Sequence, residues 1–477
     1  MDTNRRDFIK GAATAVAALP TFNILSEEYS HTLGPDADPI NVGIIGCGCE
    51  GEVLLCAAVK IPGVRIRAVC DIWDYNRKKA RGFARGYGHA DCAAYEDYRE
   101  MLEKEDKNLD IVLVATPCWM HAEHTNACLR AGKHVYCEKP MSNDLKRARS
   151  MVQAQRETGK LLQIGHQRRS NPRYIHAINR VLRGANMLGS VPHAYAQWHR
   201  SVAPFVSVPR RMVLPTETLE RYGYENVEQF LNWRWFAKYG GGPILDLGSH
   251  QIDLFLWAWD SVPVSVTAVG GNEFYGRQEN DNVTVSYEFK HKDGKTSRGL
   301  YQVLTTTSKG SFYEQFMGEN GTLTIAEIPN HGNFVQRDTG YYSDREPRWD
   351  TFVAQGLIRD AFGKLKDTYA SVAINCASTP FIADVFPGFL YRANDFHNYN
   401  RLMFQCDENT YKLPVDLNKP AHMPHLENFI LAVRQGRPDL LTCPAEVAYR
   451  TNVAVLAANE AIARRQTITF KPGDFIV

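Results

Sequence analysis

The chain has 477 residues, more than a single hydrophobic core sustains, so two domains are expected. An apolar fraction of 44%, a charged fraction of 23% and a net charge of +2 fit a globular protein, and with no basic stripe they argue against a nucleic-acid partner. No apolar run reaches the length of a membrane-spanning helix, and the eleven cysteines have neither disulfide-framework nor zinc-site spacing, so no metal is expected.

At the N-terminus, Asn4-Arg5-Arg6-Asp7-Phe8-Ile9-Lys10 precedes a weakly apolar stretch, Gly11 to Leu19. Paired arginines before such a stretch resemble a twin-arginine export signal, with a basic tail as the alternative. Residues 1–39 therefore read as signal and linker, and a periplasmic location is expected.

Strand and helix signals alternate from residue 40 to 165. Strands are predicted at Asn41–Ile45, Arg65–Cys70, Ile111–Ala115, His134–Cys137 and Leu161–Ile164. Between them, helices are predicted at Val53–Val59, Tyr95–Glu103, Ala122–Ala131 and Leu145–Thr158. Such alternation predicts a doubly wound parallel sheet, a Rossmann domain. Its first turn carries Gly46, Gly48 and Gly51 in G-x-G-x-x-G spacing between strand and helix. Bare backbone N–H groups at a helix N-terminus suit a pyrophosphate, and side chains there would block its approach. Asp71, twenty residues after Gly51 at the end of the next strand, suits a ribose diol. With no nearby Arg directly replacing this carboxylate, NAD is favoured over NADP. Two further strand ends carry Ala115-Thr116-Pro117-Cys118-Trp119-Met120-His121 and Cys137-Glu138-Lys139-Pro140. Ligands of open parallel sheets lie at such ends, and Lys139 could hold a substrate hydroxyl or help move its proton.

After Gly165 the pattern changes. Asn171–Arg183 predicts a helix and His193–His199 a strand; Ile244–Trp257 predicts a helix after the run Gly240-Gly241-Gly242-Pro243. Strands at Val264–Gly270, Asn282–Phe289, Gly299–Thr306, Ser311–Met317 and Thr322–Ile325 predict an open, mainly antiparallel sheet in a second α+β domain, 166–477. Residues 330–421 read as a possible insertion with a helix at Phe352–Lys366, followed by helices at Met423–Gln435 and Pro444–Arg464 and a strand at Ile468–Phe470. In Asp246-Leu-Gly-Ser-His250, four-residue spacing puts both side chains on one helix face, with Asp253 close by. A neutral His suits removal of a hydroxyl proton, with Asp246 orienting the substrate or the imidazole; a solvated Asp–His pair is the competing reading.

These motifs, with His425-Leu-Glu-Asn-Phe429 through Ala457-Ala-Asn-Glu460, resemble the glucose–fructose oxidoreductase and inositol dehydrogenase family, Gfo/Idh/MocA. The resemblance implies a catalytic set of Lys139, Asp246 and His250. It implies cofactor contacts at Gly46, Cys47, Gly48, Gly51, Asp71, Thr116, Pro117, His121, Glu138 and Lys139. Gln167, in His166-Gln167-Arg168-Arg169, stands where the family often has Asn. Arg168, Trp198, His199 and Arg234 are the candidate substrate residues, with packing on the sheet as the alternative for the last three. The implied function is NAD-dependent oxidation or reduction at a carbon of a sugar or glycoside, with NAD tightly held. Glycoside cleavage through transient NAD oxidation and a non-catalytic dinucleotide-dependent sensor are the competing readings. Pairing of exposed sheet faces into a dimer or tetramer is expected by analogy.

Overall fold

The computed structural model describes residues 38–202, 214–328, 332–337, 349–360 and 410–477. The twin-arginine segment and most of the 330–421 stretch lie outside the described residues. The N-terminal domain alternates β1 (Ile40–Ile45), α1 (Cys49–Ala58), β2 (Val64–Cys70), α2 (Asp74–Gly86), β3 (Ala93–Tyr95), α3 (Tyr98–Lys104), β4 (Ile111–Val114), α4 (His121–Arg130), β5 (His134–Cys137), α5 (Leu145–Thr158) and β6 (Leu162–Ile164). All six strands are parallel, in the order β3-β2-β1-β4-β5-β6. The strand order reverses between β1 and β4, which opens a crevice at their carboxyl ends. β4 is Ile-Val-Leu-Val, buried along its whole length, as a strand covered on both faces must be. α5 is bounded by chemistry legible in sequence: Asp144 accepts from the Arg147 N–H at its start, and Gly159 takes φ 65° at its end.

Then come α6 (Pro172–Ile175), continued by a π-helix over His176–Gly184, β7 (His193–His199), α7 (Thr216–Arg221), α8 (Val227–Leu231), a π-helical turn Ile244–Gly248, and α9 (Ser249–Trp259). The second sheet adds β8 (Pro263–Gly271), β9 (Asn282–Lys290), β10 (Thr296–Leu304), β11 (Phe312–Met317), β12 (Gly321–Ile325), β13 (Phe334–Arg337), β14 (Arg359–Asp360), β15 (Thr410–Lys412) and β16 (Ile468–Thr469). Its order is β14-β15-β13-β12-β11-β7-β10-β9-β8-β16. The pairing is antiparallel except that β7 runs parallel to β10. The predicted helix Phe352–Lys366 is instead α10 (Trp349–Ala354), whose Trp349 stacks on Tyr411 of β15; residues 361–366 lie outside the described set. α11 (Met423–Gln435) and α12 (Ala445–Arg464) follow.

The helices after the second sheet tie the halves together. Leu426, Phe429 and Ile430 of α11 join one apolar core with Ile44, Leu55 and Tyr136 of the N-terminal domain. α12 packs on both β8 and α5. The crevice is thereby faced by residues from both halves of the chain.

Candidate active site

The glycine turn fits a dinucleotide. Gly46 has φ +89°, and a Cβ there would lie 2.7 Å from the Ala115 carbonyl and the Thr116 nitrogen. A Cβ on Gly51 would sit 1.9 Å from the Gly46 oxygen, whereas Gly48 faces open space. The outer two glycines thus let chain approach chain, and the middle one leaves room for a ligand. Asp71 accepts from the Cys47 N–H at 2.8 Å, the Trp73 N–H at 2.8 Å and Asn76 Nδ2 at 3.2 Å. A carboxylate offers about four acceptor positions, so one remains for a ribose hydroxyl. The Cys47 thiol is buried and leans on the Cys70 carbonyl, so only its backbone serves the turn.

Thr116 and Pro117 end β4 beside this turn. His121, expected to touch the cofactor, is turned inward. It is buried, with Nδ1 2.8 Å from the Pro140 carbonyl and Nε2 2.7 Å from the Thr116 carbonyl. Burial pushes its pKa down to about 4, so the neutral ring has one N–H to share between two carbonyls. It pins the Thr116 turn to the Lys139–Pro140 turn, whose connecting peptide is cis.

Lys139 leaves the end of β5 and crosses to the other lobe. Its Nζ donates to the Asp246 carbonyl at 2.6 Å and to Asp246 Oδ1 at 3.3 Å. Arg234 Nε donates to Asp246 Oδ2 at 3.0 Å. Burial alone would raise the Asp246 pKa, but the Arg234 and Lys139 charges hold it well below the carboxylate range. The π-helical turn corrects the simple helix-face expectation. A π turn is wider than an α turn, so four-residue spacing no longer stacks the two side chains. The Asp246 carboxylate is occupied by Lys139 and Arg234, and none of the described hydrogen bonds joins it to His250.

His250 sits one turn further on, buried, with no hydrogen-bond partner for Nδ1 among the described residues. Its ring stacks on Trp198 with centroids 5.5 Å apart, and His166 lies edge-on at 6.5 Å. Burial, then the Lys139 and Arg168 charges, pushes its pKa well below the usual histidine value. Asp253 is set deeper, taking two bonds from Arg169 at 2.7 and 2.9 Å and one from Thr451 at 2.7 Å.

The other candidate substrate residues separate. Arg168 is a correction: it is 1% exposed, paired with Glu314 and lying 3.5 Å from Glu327, and it packs beneath Trp198 rather than opening to a ligand. His199 is another. Strand side chains alternate, so His199 falls on the sheet face opposite Trp198, bonded to the Lys309 carbonyl at 2.8 Å and to Gln302 at 3.0 Å. Gln167 donates to Glu327 at 3.4 Å. A small cavity beside Asp246 is lined by Cys118, Pro140, Trp233, Arg234 and Leu245. A larger cavity of about 320 Å³ lies elsewhere, around Leu182, Trp259 and His291, with none of these groups in its wall.

Two residues at the crevice carried no assignment in the sequence. Glu50, inside the glycine motif, and His422, just before α11, meet Glu138 so that one ligand atom of each lies within 4.8 Å of the others. His422 Nε2 is 3.1 Å from Glu50 Oε1. Glu138 is buried and accepts from Tyr136 Oη at 3.1 Å and the Lys139 N–H at 3.2 Å. Burial, with the neighbouring Glu50 charge, pushes its pKa up to about 7. The acidic residue between the glycines was the one signal available in sequence.

The fold and this crevice define a dinucleotide-dependent oxidoreductase. The family described as an oxidoreductase family with an NAD-binding Rossmann fold, GFO_IDH_MocA, matches residues 40–166, and the GFO/IDH/MocA C-terminal domain matches residues 218–324. Inositol 2-dehydrogenase of Rubrobacter xylanophilus is 32% identical over 320 residues, covering 66% of this chain and 78% of that protein. The scyllo-inositol 2-dehydrogenase (NADP(+)) IolW of Bacillus subtilis is 26% identical over 334 residues, covering 69% and 78%. Levoglucosan dehydrogenase, solved with NADH and L-sorbose, is similar in fold at a TM-score of 0.61 and 15% identity, covering 91% of this chain and all of that one. The chain belongs to the Gfo/Idh/MocA family of NAD-binding oxidoreductases.

Proposed function

We propose that the protein oxidises, or in reverse reduces, a ring carbon of a sugar or cyclitol, with NAD rather than NADP as its cofactor. The observation that carries this reading is the interlobe bridge from Lys139 to Asp246, with His250 following in the same helical segment. NAD, when bound, supplies the hydride acceptor or donor. A Lys ammonium has three donors; two go to Asp246, and the third is available for a substrate hydroxyl oxygen. Asp246 fixes that ammonium. His250, kept neutral by burial and by the nearby cations, takes the hydroxyl proton. Arg234 and Trp198 border the same space. The names of the inositol and levoglucosan dehydrogenases support a polyhydroxylated substrate, and the Asp71 carboxylate, which would repel a 2′-phosphate, supports NAD.

The test is a panel of free sugars, inositols and aryl glycosides, scored for both nicotinamide absorbance and aglycone release. Net absorbance change with a free sugar or inositol is expected. Aglycone release without net NADH would transfer the assignment to redox-assisted glycoside cleavage. Two further proposals accompany this reading. Export by the twin-arginine route, with NAD tightly held and recycled on the enzyme, predicts that replacing Arg5-Arg6 with Lys-Lys leaves the protein in the cytoplasm. Homo-oligomerisation through the open face of the second sheet, where Val269 and Leu300 are exposed, predicts a dimer or tetramer in analytical ultracentrifugation.

A further inference from the structure

Glu50 is an oddity for a dinucleotide turn. It lies in the first turn of α1, two residues past Gly48, where a bound pyrophosphate would meet a like charge. The chain answers it from far away. His422 precedes the first residue of α11, and its Nε2 stands 3.1 Å from Glu50 Oε1. The pair is placed where the cofactor must pass, because Glu138, at the end of β5, completes the trio within 4.8 Å. We propose that His422 is a cofactor-positioning residue, whose imidazolium neutralises Glu50 so that the anionic dinucleotide can occupy the crevice. This deepens the NAD-binding assignment and rests on it.

The surroundings support the charged form. Burial would lower the His422 pKa, but the close Glu50 carboxylate and the Glu138 and Glu327 charges raise it to about 9. The Lys139 and Arg234 charges also act on Glu50, and His425 lies one turn along on α11. The sign follows. Below about pH 9 the imidazolium is present and offsets the Glu50 charge at close range; as pH rises through that value this nearest offset is lost and the carboxylate opposes the phosphates more strongly.

The experiment is calorimetric titration of NAD into cofactor-stripped full-length protein at about pH 7 and about pH 10, for the wild type, H422Q, E50Q and the double variant. We expect wild-type affinity to fall about tenfold across that range, as one lost charge–charge contact predicts. H422Q should bind about tenfold more weakly at neutral pH and lose the pH step. E50Q should bind at least as tightly as the wild type, without the step, and the double variant should match E50Q. A double variant as weak as H422Q would overturn the proposal, because His422 would then act on folding or directly rather than through Glu50. NAD binding by the wild type that requires a divalent cation and is lost with EDTA would overturn it too, making the trio a metal site. A wild type that binds no NAD at either pH would instead overturn the cofactor assignment itself.

Discussion

His250 packs on Trp198 and sits near two cations that discourage its protonation. A proton acceptor must be neutral to work. Because its pKa is depressed, the acid limb of kcat/KM for substrate oxidation should fall below the ordinary histidine value of about 6.5. An acid limb at or above that value would contradict the assignment. Replacing His250 with Ala should lower kcat by about 10²- to 10⁴-fold while leaving NAD affinity, read by calorimetry, unchanged. Lys139→Met removes the donor and frees Asp246 from one of its two cations. It should raise KM and lower kcat together, since one ammonium both holds and orients the substrate.

The glycine turn makes separable predictions at the scale of the element. A Cβ on Gly51 would meet the chain, and one on Gly48 would meet nothing within 4 Å. Gly51→Ala should therefore destabilise the protein by about 1–3 kcal/mol as well as weaken NAD binding, since its Cβ has no room beside the Gly46 carbonyl. Gly48→Ala should keep the melting temperature of the unliganded protein and still lose NAD. Equal effects of the two substitutions on the unliganded melting temperature would deny the division of labour described for the turn. The π-helical turn at Ile244–Gly248 works at the same scale: it turns the Asp246 carboxylate to Lys139 and Arg234 while α9 resumes behind it and buries His250.

Across the whole molecule, catalysis depends on α9 being held in register with the segment that leaves the first sheet and with α12. Asp253 of α9 bonds Arg169, which follows the first sheet, and Thr451 of α12. Arg169→Met leaves a buried carboxylate unpaired and should cost about 3–5 kcal/mol, seen in the urea midpoint. The Asp253 pKa is held below its usual value: burial works against this, and the Arg169 charge prevails. Its contribution to stability is therefore present above the unfolded carboxylate value, and is lost only as pH falls through the lower folded one.

Much of this was written locally. The parallel sheet, the glycine turn, Asp71 and the Lys139, Asp246 and His250 motifs stand out because a strand, a turn and a helix are specified by neighbours in the chain. Alternation along β7 places Trp198 and His199 on opposite faces, but which face meets α9 was settled only when the sheet packed. The same packing buried Arg168 against Glu314 and turned His121 toward two carbonyls, since an unpaired buried cation or imidazole costs too much to leave open. It also brought His422 to Glu50 across most of the chain's length. Hydrophobic periodicity and turn chemistry are short-range, so the sequence by itself determined the elements and their motifs. Charge pairing across the crevice depends on distance in space, and only the tertiary structure decided which charged groups meet there.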